Sequence, residues 1–179
     1  MIDKLKKDAI FAYHKLVDVG LGKYSRGIVS VISRETNTIV FKTAKTTIVT
    51  NLTDDREELQ QHIFIYRSFP DINAIVQPYA KYATVFSQIG IDIPLLGTFH
   101  EDCFLKSIPC ISSFEELVQT FSDHEIDPNT TPAILLLHNG AYTWGQTPDE
   151  AVNNASYLEE VASLAYLSLQ LDPGIMPYK

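Results

Sequence analysis

The segment Ile72-Asn73-Ala74-Ile75-Val76-Gln77-Pro78-Tyr79 runs from a short apolar stretch into an amide, a proline and a phenol. It follows Tyr66-Arg67-Ser68-Phe69-Pro70-Asp71 and precedes the helix-like Tyr82-Ala83-Thr84-Val85-Phe86. This order predicts a strand between two helices. Because alternate side chains of a strand share a face, we expect Gln77 and Tyr79 to point the same way and to line one site together.

The part of the chain before this segment predicts a helix and a hairpin. Ile2 to Val19 has the apolar spacing of an amphipathic helix, which Gly20 stops. The β-branched runs 28–32 and 38–41 read as the two strands of a hairpin, and residues 46–50 could add another strand.

Capping signals mark three helix starts. Asp54 with Glu57 forms a capping-box pattern, which predicts a helix that continues to the break at Pro70. Ser113 followed by Glu116 repeats the pattern for a short helix. The run Thr147-Pro148-Asp149-Glu150 combines an N-cap, a proline at the first helical position and an acid at the third, and it is the strongest start.

Two stretches complete the predicted architecture. Residues 97–109 read as strand and loop. Residues 133–137 form a continuous apolar run, which indicates a strand covered on both faces, and Gly140 allows a turn into Tyr142-Thr143-Trp144. Together the elements predict an α/β fold.

Composition indicates one soluble globular domain, residues 1–179, with 45% hydrophobic and 20% charged residues. The net charge of -8 argues against nucleic-acid or anionic-membrane partners, which require concentrated basic surface. No apolar run reaches the roughly 18 residues of a membrane span. Cys103 and Cys110 lack the spacing of a disulfide framework or zinc knuckle and read as buried small hydrophobes. We expect a cytoplasmic protein.

Few residues indicate chemistry by themselves. Helical spacing places Glu58 and His62 on one face, where they either bind a ligand or hydrogen-bond each other. His100 and Asp102 form a second same-face pair if their segment is a strand. His138-Asn139-Gly140 follows the apolar run and is either part of a pocket or a polar turn. No phosphate-binding loop, nucleophile elbow or dinucleotide fingerprint is present.

A resemblance to a known family runs nearly end to end. The stretch 63–90 resembles the L-ribulose-5-phosphate 4-epimerase branch of the class II aldolase/adducin family. Similar motifs stand at Gly20–Tyr24, Ile65–Pro70, Gly97–Asp102, Ser107–Cys110, and Trp144-Gly145 through Leu158–Glu160. The resemblance implies a three-layer fold, in which helices flank a central, mostly antiparallel sheet. It also implies a homo-oligomer, usually a cyclic tetramer, with sites between subunits.

The same resemblance implies a changed metal site. In the family a His-x-His pair and a third histidine hold zinc, and those positions match Gln77, Tyr79 and Asn139 here. Zinc prefers imidazole, thiolate or carboxylate ligands, so we expect no zinc cofactor. We expect instead a pocket closed by amide and phenol hydrogen bonds. Glu58 matches the acidic residue of the family, and Asp102 matches an acid/base aspartate of the epimerases.

The phosphate side of the implied site also differs. Where the family has Gly-Asn in its first loop, this chain has Gly27-Ile28. The apolar Ile28 in place of asparagine removes a polar contact to the phosphate. Lys42 and Thr43 keep phosphate-side positions, while Arg26 and Arg56 add positive charge.

These departures support three hypotheses. A long family segment is also absent between Lys42 and Glu58, so the leading hypothesis is a pseudoenzyme, a degenerate homologue that acts as a binding or oligomeric interaction protein. The second is a sugar-phosphate epimerase or aldolase whose rearranged metal site uses His62, His100 or His138. The third is a subunit that assembles with an active paralogue.

Overall fold

The computed structural model describes residues 2–177, which contain six α-helices and seven β-strands. The helices are α1 (Ile2–Asp18), α2 (Gln60–Ser68), α3 (Lys81–Ile89), α4 (Thr98–Cys103), α5 (Leu117–Asp123) and α6 (Pro148–Leu171). The strands are β1 (Ile28–Ser33), β2 (Thr38–Lys42), β3 (Thr47–Asn51), β4 (Ala74–Gln77), β5 (Cys110–Ile111), β6 (Ala133–Leu136) and β7 (Gly140–Gly145).

All seven strands join in one sheet with the order β3-β2-β1-β4-β7-β6-β5. Five of the six neighbouring pairs are antiparallel, and only β5 and β6 run parallel. The predicted hairpin is therefore confirmed as β1 and β2, and the third strand of that region pairs with β2. The central, mostly antiparallel sheet is confirmed as well.

Strand alternation divides the core into two layers. In β4, Ala74 and Val76 belong to the apolar cluster beneath α1, α3 and α6, whereas Ile75 belongs to the cluster beneath α2 and α5. In β6, Leu135 faces the first cluster and Ile134 the second. Both strands are covered on both faces, which explains their continuous apolar sequences. The result is the predicted three-layer arrangement.

The capping patterns predict the start of α6 correctly but not the start of α2. Thr147 accepts a hydrogen bond from the backbone N–H of Glu150, whose carboxylate accepts from Gln146 N–H at 2.9 Å, so this start is confirmed. The predicted start near Asp54 is wrong because its carboxylate binds Arg56 and the Thr50 hydroxyl instead. A single 3₁₀ turn over Glu57–Leu59 precedes α2.

The prediction of strand and loop over residues 97–109 is wrong in its first half, which forms α4. On a helix, the side chains of residues i and i+2 lie about 200° apart around the axis. His100 and Asp102, which a strand would place on one face, therefore point in different directions. His100 is buried, and Asp102 is exposed. No helix among residues 2–177 combines the length and apolar character needed to cross a membrane.

Candidate functional site

A cavity of about 660 Å³ lies where β4 ends, beside the turn between β6 and β7. Gln77, Tyr79 and Asn139 all line it. Pro78 has no backbone N–H to continue the sheet ladder, which accounts for the strand ending at Gln77. His138 adopts a left-handed conformation with φ 61°, and this tight turn brings Asn139 opposite the end of β4.

Two amides that line this cavity, Gln77 and Asn139, belong to a hydrogen-bonded network with the buried phenol of Tyr142. Gln77 Nε2 donates to Asn139 Oδ1 at 3.0 Å, and the Tyr142 hydroxyl donates to the same oxygen at 2.8 Å. Burial raises the pKa of Tyr142, so its hydroxyl stays a donor. The carbonyl oxygen of Asn139 thus receives two donors, and the side chains of Gln77 and Asn139 line the cavity, where a ligand can reach them.

The phenol in this network differs from the one expected from sequence. Tyr79 lines the cavity, but its ring packs edge-on against Tyr24, with 5.3 Å between ring centroids. Its backbone N–H donates to the carbonyl of Leu21 at 2.7 Å. Tyr142 was not among the sequence-based candidates, because the sequence around it predicts only a strand that follows the turn at Gly140. The signal that could have found it is its position three residues after Asn139, across a tight turn.

The loop before β1 forms one wall of the cavity. Tyr24 and Ser25 have φ values of 56° and 57°, a left-handed conformation that is uncommon for residues other than glycine, asparagine and aspartate. This conformation carries Tyr24 over Tyr79 and brings Arg26 to the cavity. Two consecutive residues in such a conformation cost free energy that surrounding contacts must offset, a feature that clusters at ligand sites.

Of the four phosphate-side residues, the structure places Arg26 and Thr43 on the cavity. The Thr43 hydroxyl accepts hydrogen bonds from two backbone N–H groups of the β2–β3 turn, which orders that rim. Lys42 does not line the cavity: its Nζ donates to the Thr43 carbonyl at 2.7 Å and lies over the ring of Tyr13. Arg56 instead pairs with Asp54 and holds the pKa of that carboxyl well below its usual range.

The two candidate acids lie outside the cavity. Glu58 is exposed in the 3₁₀ turn before α2, and Asp102 is exposed on α4. Among residues 2–177, no aspartate or glutamate lines the cavity. Its ionisable lining residues are Arg26, His138 and the tyrosines Tyr24 and Tyr79.

The three candidate histidine ligands occupy separate environments. His62 is fully buried between the rings of Phe41 and Tyr142, and burial lowers its pKa to about 3. Its Nδ1 bonds to the Ser30 hydroxyl at 2.7 Å rather than to Glu58. His100 lies on the side of α4 that faces α6, and burial lowers its pKa. Of the three histidines, only His138 lines the cavity. Within residues 2–177, no three His, Cys, Asp or Glu side chains converge as a metal site.

The residues at the implied zinc positions do not fit zinc. Gln77 and Asn139 are neutral amides, and the side-chain oxygen of Asn139 already accepts two hydrogen bonds, one of them from Gln77. The third residue, Tyr79, is a phenol whose ring packs against Tyr24. Zinc sites in proteins use imidazole, thiolate or carboxylate.

Comparison with known proteins gives consistent matches along the chain. The family model described as Class II Aldolase and Adducin N-terminal domain matches residues 34–166. The L-ribulose-5-phosphate 4-epimerases UlaF of Salmonella paratyphi A and Salmonella typhi are each 28% identical over 207 aligned positions, which cover 98% of this chain and 90% of theirs.

Two solved structures show the same fold. An L-fuculose 1-phosphate aldolase aligns with a TM-score of 0.79 and 21% identity, covering 97% of this chain and 91% of its own. The L-fuculose-1-phosphate aldolase of Thermus thermophilus aligns with a TM-score of 0.72 and 18% identity, covering 98% of this chain and 100% of its own.

Proposed function

Because the chain belongs to the class II aldolase and adducin family, we propose that it is a degenerate member that binds a small sugar phosphate without metal-dependent catalysis. The observation that carries this proposal is the hydrogen bond between Gln77 and Asn139. It joins two positions that the family resemblance matches to zinc ligands, with one neutral amide donating to another.

The chemistry of the family's relatives explains why this substitution matters. Cleaving or epimerising a sugar phosphate next to a carbonyl develops negative charge on oxygen, and a metal ion stabilises that charge by several kcal/mol. A general base must also reach the proton that it removes. Glu58 and Asp102 are exposed away from the cavity. Amides and phenols can hold hydroxyl groups, but they supply neither a Lewis acid nor a strong base.

The cavity retains features that suit an anionic ligand. Arg26 brings a permanent positive charge to its rim, and Thr43 orders the neighbouring turn. A cationic site on a chain with net charge -8 provides a local attraction for phosphate that most of the surface lacks. The amide side chains of Gln77 and Asn139 line the same cavity, and amides can donate to and accept from the hydroxyls of a sugar.

A rearranged metal site is less well supported. His62, His100 and His138 lie in the core, in the α4–α6 cleft and in the β6–β7 turn, respectively. As part of the same proposal, we infer a cytoplasmic homo-oligomer. The free thiols of Cys103 and Cys110 fit a reducing compartment.

Ligand titration with paired arginine variants tests the binding proposal. We expect L-ribulose 5-phosphate and inorganic phosphate to bind in calorimetry with chelator present. Arg26→Gln removes a charged hydrogen-bond donor at the cavity and should weaken binding about tenfold or more. Arg56→Gln is the matched control because Arg56 pairs with Asp54 and does not line the cavity. Equal effects of the two substitutions would contradict the proposed site.

Metal analysis tests the catalytic part. Protein purified without chelator should contain no stoichiometric zinc by mass spectrometry, and it should not turn over L-ribulose 5-phosphate when zinc is added. Stoichiometric zinc that is lost in Gln77→Ala would overturn the proposal, as would turnover that requires Glu58.

A further inference from the structure

Asn139-Gly140 is the only asparagine–glycine pair in the chain, although the chain contains seven asparagines. Deamidation is a reaction in which the backbone nitrogen of the following residue attacks the side-chain amide of an asparagine. Glycine favours this attack because it has no side chain beside the attacking nitrogen and moves freely between backbone conformations. Asn139 is exposed and lines the cavity, so water reaches its side chain. The pair therefore combines a reactive sequence with an open position.

The hydrogen-bonded network of the cavity assists an attack on this amide. Gln77 Nε2 and the Tyr142 hydroxyl both donate to Asn139 Oδ1, at 3.0 and 2.8 Å. When a nitrogen attacks the amide carbon, negative charge develops on this oxygen. Donors that already point at the oxygen stabilise the charge as it develops, in the same way as the oxyanion hole of an enzyme.

The attacking nitrogen lies at an end of the sheet ladder. Gly140 is the first residue of β7 and pairs with Leu136, the last residue of β6. Backbone pairs at the end of a ladder open more often than pairs in its interior. The nitrogen of Gly140 is therefore released for reaction without unfolding of the sheet.

We propose that Asn139 is a deamidation site, and that the aspartate formed there switches off anion binding in the cavity. The Gly140 nitrogen forms a bond to Asn139 Cγ, and the bond from Cγ to Nδ2 breaks. The amide nitrogen leaves as ammonia with the proton of the Gly140 N–H, so that a succinimide ring remains. Water then adds its hydroxyl to a ring carbonyl carbon and its proton to the Gly140 nitrogen. Opening at Cγ gives aspartate, and opening at the backbone carbonyl gives isoaspartate.

Aspartate fits the position that the asparagine occupies. Its Oδ1 can keep the hydrogen bonds from Gln77 and Tyr142, and a charged acceptor strengthens both of them. Isoaspartate instead adds a methylene group to the main chain, which alters the tight turn at His138. We therefore expect aspartate to be the product that the folded chain accommodates.

The new carboxylate reverses the electrostatic character of the cavity. In the described part of the chain, Arg26 lines the cavity and no acidic residue does. A negative charge at position 139 offsets the attraction of Arg26 and repels a phosphate. This consequence rests on the function proposed above, whereas the deamidation itself does not.

Peptide mass spectrometry tests the modification. After incubation of the native chain in mildly alkaline buffer, Asn139 should show the mass gain that accompanies exchange of NH₂ for OH. Asn129 is the internal control, because it is exposed in a loop but is followed by Thr130. No gain at Asn139, or equal gains at both asparagines, overturns the proposed site.

A tyrosine variant tests the assistance by the network. Tyr142→Phe keeps the ring and removes one donor to Asn139 Oδ1, so it should slow deamidation about tenfold, as expected for one hydrogen bond to a charged group. Tyr157→Phe is the matched control, since Tyr157 is exposed on α6. Circular dichroism checks that both variants are folded. An unchanged or faster rate in Tyr142→Phe shows that the network does not assist the reaction.

The variant Asn139→Asp tests the switch with a homogeneous product. Calorimetry with inorganic phosphate should show binding about tenfold or more weaker than in the native chain. Asn129→Asp is the matched control, because it adds the same charge outside the cavity. Equal phosphate affinity in Asn139→Asp and the native chain overturns the switch. If the native chain itself binds no phosphate, the proposed function fails together with the switch, and mass spectrometry alone decides the deamidation.

Discussion

Ser30 connects two buried polar side chains on the α2 face of the sheet. Its hydroxyl bonds to His62 Nδ1 at 2.7 Å and to the Tyr66 hydroxyl at 2.9 Å. All three residues are almost completely buried. Within the part of the chain that the structure describes, His62 Nε2 has no hydrogen-bond partner. The imidazole is therefore a neutral core group held from one side, and it is not available as a ligand in the cavity.

We predict that Ser30→Ala lowers the free energy of unfolding by about 1–3 kcal/mol, because it leaves the buried Nδ1 of His62 without its partner and removes one hydrogen bond of the Tyr66 hydroxyl. Urea denaturation followed by circular dichroism measures this change. Ser122→Ala, at an exposed position of α5, is the control and should change stability by less than about 0.5 kcal/mol. A similar small change in Ser30→Ala would show that the network contributes little.

Burial of His62 also predicts a pH dependence of stability. Its pKa is about 3 in the folded chain and 6.5 when unperturbed, so between these values the unfolded chain binds a proton that the folded chain does not. Stability should then fall as the pH falls from about 6.5 towards 3, by up to about 1.4 kcal/mol per pH unit.

The variant His62→Asn isolates this contribution. His100 acts with the same sign and Glu159, whose pKa burial raises, with the opposite sign, but both are present in the native chain and in the variant. Urea denaturation from pH 6.5 to pH 4 should therefore show a smaller loss of stability in His62→Asn than in the native chain. Parallel curves would contradict the predicted burial of a neutral imidazole.

At the scale of secondary structure, an unusual contact fixes α3 against α6. Both carboxylate oxygens of Glu159 on α6 accept from Tyr82 N–H at 3.0 Å, and one also accepts from Ala83 N–H at 3.2 Å. These donors belong to the first turn of α3, whose N–H groups have no partner within the helix. Ala80, at the N-cap, has no side chain that could serve. The carboxylate also favours the positive end of the helix dipole.

We predict that Glu159→Ala lowers the free energy of unfolding by about 1–3 kcal/mol, because partly buried N–H groups of α3 lose their acceptor. Thermal unfolding should show a corresponding fall in Tm. Glu160→Ala is the matched control, since Glu160 is the exposed neighbour on the same helix. If both variants lose the same small amount of stability, then Glu159 does not anchor α3.

Elements with strong local signals are the ones that sequence predicts correctly. The hairpin β1–β2 follows from β-branched runs, and the start of α6 follows from an N-cap threonine with a proline at the first helical position. The start of α2 fails because a sequence does not reveal that Asp54 binds Arg56 in preference to a helix N-terminus. The six residues of α4 are too few to show a helical period, so the strand prediction there had little basis.

The same limit applies to the cavity. The family resemblance was enough to predict that Gln77, Tyr79 and Asn139 lie together, and all three line the cavity. Strand alternation does not place Tyr79, because β4 ends at Gln77. The role of Tyr142 depends on the left-handed conformation of His138 in the β6–β7 turn. Such a conformation is difficult to predict because histidine adopts it only occasionally.

Across the whole molecule, fold and site chemistry depend on different numbers of residues. The fold depends on alternation in seven strands and on two apolar clusters, and many substitutions preserve both. This is consistent with a TM-score of 0.79 at 21% identity. A metal site depends on three or four side chains of the right type. The scaffold can therefore remain intact while the site changes its chemistry, and fold similarity alone does not indicate activity.

If only side-chain chemistry separates this cavity from a zinc site, three substitutions should create one. Gln77 Nε2 and Asn139 Oδ1 are already 3.0 Å apart, close enough for their replacements to share one ion. We predict that the triple variant Gln77→His, Tyr79→His, Asn139→His binds about one zinc per chain, because imidazoles coordinate zinc and amides do not. Mass spectrometry after dialysis measures the metal, and the native chain, purified in parallel, should contain none. A folded triple variant without zinc would show that the backbone has also moved away from the metal-binding geometry.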